Sequence, residues 1–164
     1  MKILHPSDWH LGRTFHRHSL NEWHQRFIDE LIDYATAEKI DVLLISGDVY
    51  DSAHPSAETT ELLGKTLDRL ALAGIQVVLS AGNHDSARRL GYGAGTLARQ
   101  GIYPVTTLEE TFEPVELTRD DIRVRIYAVP YLNPRYYGRQ LDVEPTHAAV
   151  LGEVCTRIRE DNEK

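Results

Sequence analysis

The chain has 164 residues, with 18 Lys and Arg against 25 Asp and Glu and a formal net charge of −7. This length allows one compact domain with its own core, and the acidic balance argues against a protein that coats nucleic acid with a uniformly basic surface. No apolar stretch reaches the length of a signal peptide or a membrane span, and the single cysteine, Cys155, excludes an intrachain disulfide. We therefore expect a cytoplasmic protein with no membrane partner.

The first half of the chain alternates continuous apolar runs with segments of helical periodicity. The apolar runs predict buried strands at residues 2–5, 41–46 and 75–80. One helix is predicted from Ser19, whose spacing to Glu22 matches a capping box, and a second follows Ser56 and ends near Gly74. The order β-α-β-α-β predicts an α/β fold with parallel strands and right-handed crossovers.

The second half is less regular. Residues 123–129 alternate in polarity, which predicts a strand, and we pair it with a short strand near residues 114–117. Residues 130–138 are rich in Pro and Tyr and are expected to form a loop. A last helix is predicted from Thr146, with Val150, Val154 and Ile158 on one face. Residues 159–164 are mostly charged, and we expect a domain that is incomplete at its C-terminus.

Polar residues follow each of the three predicted parallel strands. They read Asp8-Trp9-His10, Gly47-Asp48-Val49-Tyr50-Asp51 and Gly82-Asn83-His84-Asp85. The carboxyl ends of parallel strands meet at one edge of a sheet, where ligands bind in open α/β folds. Taken singly, each segment is more often a turn or a helix cap. Their occurrence in this order at three successive strand ends indicates one shared site.

The donor types in these segments suit a pair of divalent metal ions. The candidate ligands are Asp8, His10, Asp48 and Asn83. Carboxylate, imidazole and amide donors without thiolates fit Mn, Fe or Zn better than a structural cysteine site. Asp48 follows the middle strand and is the candidate bridge between two ions that orient a phosphodiester. His84 cannot easily ligate the same ion as its neighbour Asn83, so we expect it beside the scissile phosphate, oriented by the Asp51 carboxylate.

These segments match the signature of the calcineurin-like metallophosphoesterase superfamily, D-x-H, G-D-x-x-D and G-N-H-[DE]. Further matches are Ser7 before the first segment, Leu11-Gly12-Arg13 after it, Pro55-Ser56, and Val129-Pro130-Tyr131. Together they resemble the SbcD family of bacterial DNA-repair nuclease subunits. Protein Ser/Thr phosphatases carry Arg-Gly after the second motif, whereas this chain has Ser52-Ala53. That departure disfavours a protein phosphatase.

The resemblance implies a metallophosphoesterase-type α/β sandwich, with residues 1–164 as the N-terminal portion of the nuclease domain. It assigns Asp8 and His10 to one metal ion and Asn83 to the second, with Asp48 bridging the two. His84 becomes the catalytic histidine, held by Asp51. It also implies Mn²⁺-dependent exonuclease activity on DNA double strands and endonuclease activity on single strands, a homodimer, and an SMC-like ATPase partner of the SbcC type.

The family completes its metal site with histidines in a Gly-His and a Gly-His-x-His segment, and neither segment occurs in this sequence. His147 lacks a preceding Gly and is expected to be a surface or capping residue. Because several carboxylates lie together without those ligands, we expect weak metal affinity, weak or no activity of this chain alone, and higher stability with added Mn²⁺.

Four residues near the motifs are candidate contacts to the DNA backbone: His16, Arg17, Arg88 and Arg89. For each of them a solvated surface position is an equal alternative.

Two other functions stay open. One is a phosphodiesterase or nucleotidase of the same superfamily that acts on small substrates, and the other is a non-catalytic scaffold module. Mn²⁺-dependent degradation of a linear duplex by the full-length protein separates the nuclease from the small-substrate enzyme, whereas inactivity of this chain alone would not establish a scaffold.

Overall fold

The computed structural model describes residues 1–163, which form an α/β sandwich. In chain order the elements are β1 (Ile3–Leu4), β2 (Thr14–Phe15), β3 (His18–Ser19), α1 (Asn21–Ala37), β4 (Val42–Ser46), α2 (Ala57–Leu72), β5 (Gln76–Ser80), α3 (Ala87–Leu90), α4 (Ala94–Ala98), β6 (Ile102–Val105), α5 (Leu108–Thr111), β7 (Val115–Arg119), β8 (Ile122–Ile126), α6 (Pro134–Leu141) and α7 (His147–Asn162). The central sheet has the order β1-β4-β5-β6, and all its strands are parallel. The predicted β-α-β-α-β start is confirmed.

The two faces of this sheet bury different partners. Successive side chains of a strand point to opposite faces, so Leu43 and Ile45 of β4 face one layer and Val42 faces the other. Leu43 and Ile45 pack into the main core with α1 and α2, where Ile28 and Leu70 are fully buried. Val42 instead packs with residues of the antiparallel hairpin β7–β8. The sheet therefore lies between a helical layer and a hairpin.

A third apolar cluster joins the last part of the chain to the sandwich. Val150 and Val154 of α7 are fully buried and pack against Leu108, Leu132 and Leu141. The predicted pairing of the two late strands and the predicted apolar face of α7 are both confirmed. Thr146 begins that helix as expected, because its hydroxyl accepts a hydrogen bond from the Ala149 N–H at 3.2 Å.

The first strand and the first helix differ from the prediction. β1 has only two residues, and Ile3 is 43 % exposed because this strand lies at the edge of the sheet. Ser19 belongs to the short hairpin β2–β3 rather than capping α1, and its hydroxyl accepts from the Asn21 N–H at 3.1 Å. Leu20 occupies the cap position, so the capping box with Glu22 does not form.

The loop expected at residues 130–138 is also wrong in part, since α6 begins at Pro134. The Asn133 side chain accepts from the Arg135 N–H at 3.0 Å, and a proline at the first helical position is already in a helical conformation. Gly138 is buried in this helix, and a Cβ there would lie 2.9 Å from Pro145 Cα. Close approach of the two backbones thus requires glycine.

The second helix agrees with its sequence signals. The Ser56 hydroxyl accepts from the Thr59 N–H at 3.1 Å, and Gly74 has the positive φ of +73° expected just after the helix. The strand β6 and the short helices α4 and α5 were not predicted. Within residues 1–163, none of the helices has both the length and the apolar character that crossing a membrane requires.

Candidate metal centre

The first two motif loops continue to pair after their strands end. The Asp8 N–H donates to the Gly47 carbonyl at 3.2 Å, and the His10 N–H donates to the Asp48 carbonyl at 2.9 Å. Isolated parallel bridges extend the pairing on both sides of these bonds. The main chain therefore aligns the Asp8 and His10 side chains with Asp48, although the segments lie about forty residues apart in the sequence.

Three candidate ligands have left-handed backbone conformations. The φ angles are +56° at Asp8, +46° at His10 and +46° at Asp48. Such angles are uncommon for residues other than glycine and concentrate at functional sites, where the surrounding structure has to enforce them. Here the interloop hydrogen bonds supply that enforcement, and the left-handed turns direct all three side chains to the carboxyl edge of the sheet.

Gly82 allows the third motif to approach Asp48 closely. A Cβ on Gly82 would lie 2.1 Å from Asp48 Oδ1 and 2.2 Å from the Asp48 nitrogen, which no side chain can tolerate. The same Asp48 Oδ1 accepts a hydrogen bond from the His84 N–H at 3.0 Å. The glycine of the third motif is thus a steric requirement for placing Asp48 and His84 together.

Asp85 joins the second and third motifs and was not assigned a role from the sequence. Its carboxylate accepts from the N–H groups of Val49 at 3.0 Å, Tyr50 at 2.8 Å and Gly82 at 2.8 Å. A carboxylate with three backbone donors is a strong link, because hydrogen bonds to a charged acceptor exceed neutral ones in strength. The signal for this role was the acidic residue that closes the G-N-H-[DE] signature.

Donor atoms of two other predicted ligands, Asp8 and Asp48, lie close to His10. Its Nε2 lies 3.9 Å from Asp8 Oδ1 and 3.8 Å from Asp48 Oδ2. Ligand atoms of His10, Asp48 and His84 all lie within 4.8 Å of one another. The imidazole rings of His10 and His84 meet edge to face with centroids 4.9 Å apart. The structure therefore brings His84 into the same small volume as the proposed ligands.

The contacts of Asp51 differ from the expected ones. Its carboxylate lies beside His10, with Oδ1 3.1 Å from Nδ1. His84 Nδ1 instead lies 2.9 Å from the main-chain carbonyl oxygen of Asp51. Asp51 therefore contacts both histidines, but the expected carboxylate contact to His84 is replaced by a carbonyl contact. A carboxylate behind a metal-binding histidine is the usual arrangement for fixing the ring and its tautomer.

Two histidines near this centre have shifted pKa values. The hydrogen bond with the Asp51 carbonyl, supported by the charges of Asp48, Asp51 and Asp85, raises the pKa of His84 above its ordinary value. Burial lowers the pKa of His24 on α1, and the negative charge of Asp51 opposes that shift in part. The negative charges of the carboxylates therefore act on both imidazole rings.

The remaining predicted residues are exposed on the surface. Asn83 is exposed and shares a cleft with Asp8 and Asp48. His16 and Arg17 are exposed at the turn of the β2–β3 hairpin, where both have positive φ angles. The other two predicted DNA contacts, Arg88 and Arg89, are exposed on α3 and line a different depression, together with Tyr50 and Tyr92.

The donor set fits a divalent metal ion. Oxygen and nitrogen atoms from Asp8, His10, Asp48 and His84 converge, and the free Nε2 of His10 points to the acidic side chains while its Nδ1 is next to Asp51. Carboxylates packed this closely repel one another unless a cation lies between them. Borderline and hard divalent ions accept such mixed oxygen and nitrogen donors.

A parallel sheet with acidic and histidine donors at its carboxyl edge is the arrangement of a metal-dependent phosphoesterase, and the family comparison agrees with it. The family profile described as calcineurin-like phosphoesterase matches residues 1–148. The chain therefore belongs to the calcineurin-like phosphoesterase family. The profile spans every motif described above.

Curated relatives narrow the similarity within this family. The chain is 34 % identical, over 98 % of its length, to the SbcD subunit of the nuclease SbcCD from Staphylococcus saprophyticus. It is 35 % identical to the protein of the same name from Rhodobacter capsulatus and 33 % identical to that from Staphylococcus epidermidis, over 80 % of the chain in each case. The chain spans 42 %, 35 % and 34 % of the length of these three relatives.

Proposed function

We propose that the chain belongs to the nuclease subunit of an SbcCD-type complex, which hydrolyses DNA phosphodiester bonds as a double-strand exonuclease and a single-strand endonuclease. The observation that carries this proposal is the convergence of His10, Asp48 and His84 donor atoms within 4.8 Å at the carboxyl edge of the sheet. Similarity to relatives that are named as nucleases supports DNA over a small-molecule substrate.

We assign four residues to a pair of divalent ions, with Mn²⁺ as the proposed metal: Asp8, His10, Asp48 and Asn83. Two bound ions would neutralise the phosphate charge and supply a water of lowered pKa as the nucleophile. Asp48 is the proposed bridge, because its two oxygens lie between the first and third motif loops. The main-chain hydrogen bonds that hold the Asp8 and His10 loop beside Asp48 support this assignment.

His84 is the proposed catalytic histidine. It is exposed, and the Asp51 carbonyl holds its Nδ1, so Nε2 is available to a phosphate oxygen. The raised pKa favours the protonated ring, which can donate a hydrogen bond to the scissile phosphate or give a proton to the leaving oxygen. Asp51 serves this role through its main chain and positions His10 through its carboxylate.

The proposed partners are DNA, an SMC-like ATPase of the SbcC type and a second copy of the chain. His16, Arg17, Arg88 and Arg89 are exposed and remain the proposed contacts to the DNA backbone. The expectations of a cytoplasmic location and of an N-terminal portion of a larger domain remain predictions. Co-purification tests the complex with the ATPase, and sedimentation analysis tests the homodimer.

The test uses end-labelled linear duplex and hairpin DNA with Mn²⁺. We expect slow, Mn²⁺-dependent release of nucleotides that is lost with a chelator and in Asp48→Asn. Asp120→Asn removes the same charge from the turn between β7 and β8 and should have no effect. Cleavage of small phosphodiesters only would favour the small-substrate enzyme instead.

A second readout does not depend on turnover. Ligand that binds only the folded state at about 100 times its Kd adds about 2.7 kcal/mol of stability. Melting temperatures measured across a Mn²⁺ titration should therefore rise to a plateau, at concentrations that indicate weak affinity. If the melting temperature does not respond to Mn²⁺ at any concentration, the proposed metal site is refuted, and the non-catalytic scaffold becomes the favoured alternative.

A further inference from the structure

A cleft of about 360 Å³ opens next to the candidate metal centre. One wall consists of the motif residues Asp8, Asp48 and Asn83. A second wall comes from the segment after β8 and from the start of α7, and it includes Tyr131 and His147. The two walls therefore differ in chemistry, because one carries carboxylates and the other carries aromatic rings.

The aromatic wall is attached firmly to the fold. The Tyr131 N–H donates to the Ala81 carbonyl at 2.7 Å, which ties this wall to the third motif loop. Leu132, the next residue, is buried in the cluster that also contains Val150 of α7. The backbone positions of Tyr131 and His147 are thus determined by packed neighbours.

The rings themselves are accessible. Tyr131 is 43 % exposed and His147 is also exposed, and their ring centroids lie 5.9 Å apart with an angle of 51° between the planes. The sequence predicted a surface or capping role for His147. The surface position is confirmed, but His147 is the first residue of α7 and the capping hydroxyl belongs to Thr146; the residue also lines the cleft.

We propose that Tyr131 and His147 bind the base of a nucleotide whose phosphate is held by the ions proposed for the acidic wall. The inference rests on the proposed nuclease function and adds a substrate-binding subsite to it. Aromatic side chains bind bases by stacking, without sequence preference. The volume lies at the low end of small-ligand pockets, which suits one unpaired nucleotide rather than a paired duplex end.

Binding of a fluorescein-labelled single-stranded phosphorothioate oligonucleotide, measured by anisotropy in Mn²⁺, tests this subsite without turnover. Stacking on one aromatic ring is worth a factor of about five or more in affinity. Tyr131→Ala and His147→Ala should each weaken binding by about that factor, whereas Tyr131→Phe retains the ring and should bind like the wild type. Tyr34→Ala removes an exposed tyrosine from α1 and is the matched control.

The outcomes separate this subsite from the proposed function. Wild-type affinity in both Tyr131→Ala and His147→Ala overturns the subsite and leaves the nuclease proposal intact. Equal losses in Tyr34→Ala overturn it as well, because the effect would not be local. A wild-type chain that Mn²⁺ stabilises but that binds no oligonucleotide refutes the subsite and favours small substrates. Failure of Mn²⁺ to stabilise the wild type refutes the metal-dependent function itself.

Discussion

Asp51→Asn separates the two roles available to this side chain, because its carboxylate lies 3.1 Å from His10 Nδ1 whereas its carbonyl contacts His84. The substitution keeps the shape and the main-chain carbonyl but removes the charge behind His10. Loss of such an orienting partner lowers metal affinity by about 10- to 100-fold, which corresponds to about 1.4 to 2.7 kcal/mol. We expect Mn²⁺ affinity to fall by this amount.

The assay is a Mn²⁺ titration in which free ion is read by electron paramagnetic resonance. Asp120→Asn provides the control, since it removes the same charge at an exposed turn whose φ of +52° asparagine tolerates. A Kd for Asp51→Asn within about twofold of the wild type would refute the positioning of His10. Loss of DNA hydrolysis with unchanged Mn²⁺ affinity would instead indicate that the Asp51 carboxylate orients His84, as predicted from the sequence.

Three further substitutions test residues that pack around the candidate metal centre. Gly82→Ala forces a Cβ against Asp48, so we expect the Mn²⁺-induced rise in melting temperature to disappear, and a normal rise would contradict the steric argument. Asp85→Asn places an amide NH₂ against a backbone N–H that the carboxylate had accepted from. The free energy of unfolding in urea should therefore fall by about 2 kcal/mol. A wild-type value would show that the link between the second and third motifs contributes little. Burial lowers the pKa of His24 from 6.5, so below about pH 6.5 the unfolded chain binds a proton at this residue that the folded chain does not, and the contribution of His24 to stability decreases. In the metal-free chain, the melting temperature of His24→Gln should therefore fall less between pH 7 and pH 5 than that of the wild type. An equal fall in both proteins would exclude His24 as a source of this pH dependence.

Much of the fold could be predicted because its signals are local. The apolar runs at residues 41–46 and 75–80, the Ser56 cap and the positive φ at Gly74 each depend on neighbouring residues. The same holds for the apolar face of α7. Errors arose where tertiary context decided, as at β1, whose exposure follows from its edge position. Ser19 pairs within the hairpin β2–β3 and does not cap α1, although its spacing to Glu22 predicted a cap.

The sequence by itself determined which donors this protein has and the order in which they follow the strands, because residue type and strand-end position are local properties. Tertiary structure decided which donor faces which. The Asp51 carboxylate lies beside His10, Asp85 joins two loops, and Tyr131 and His147 line the same cleft as Asp8, Asp48 and Asn83. These contacts join residues distant in the chain, through left-handed backbone turns and strand register. No local pattern encodes them, because each depends on how two separate segments approach one another.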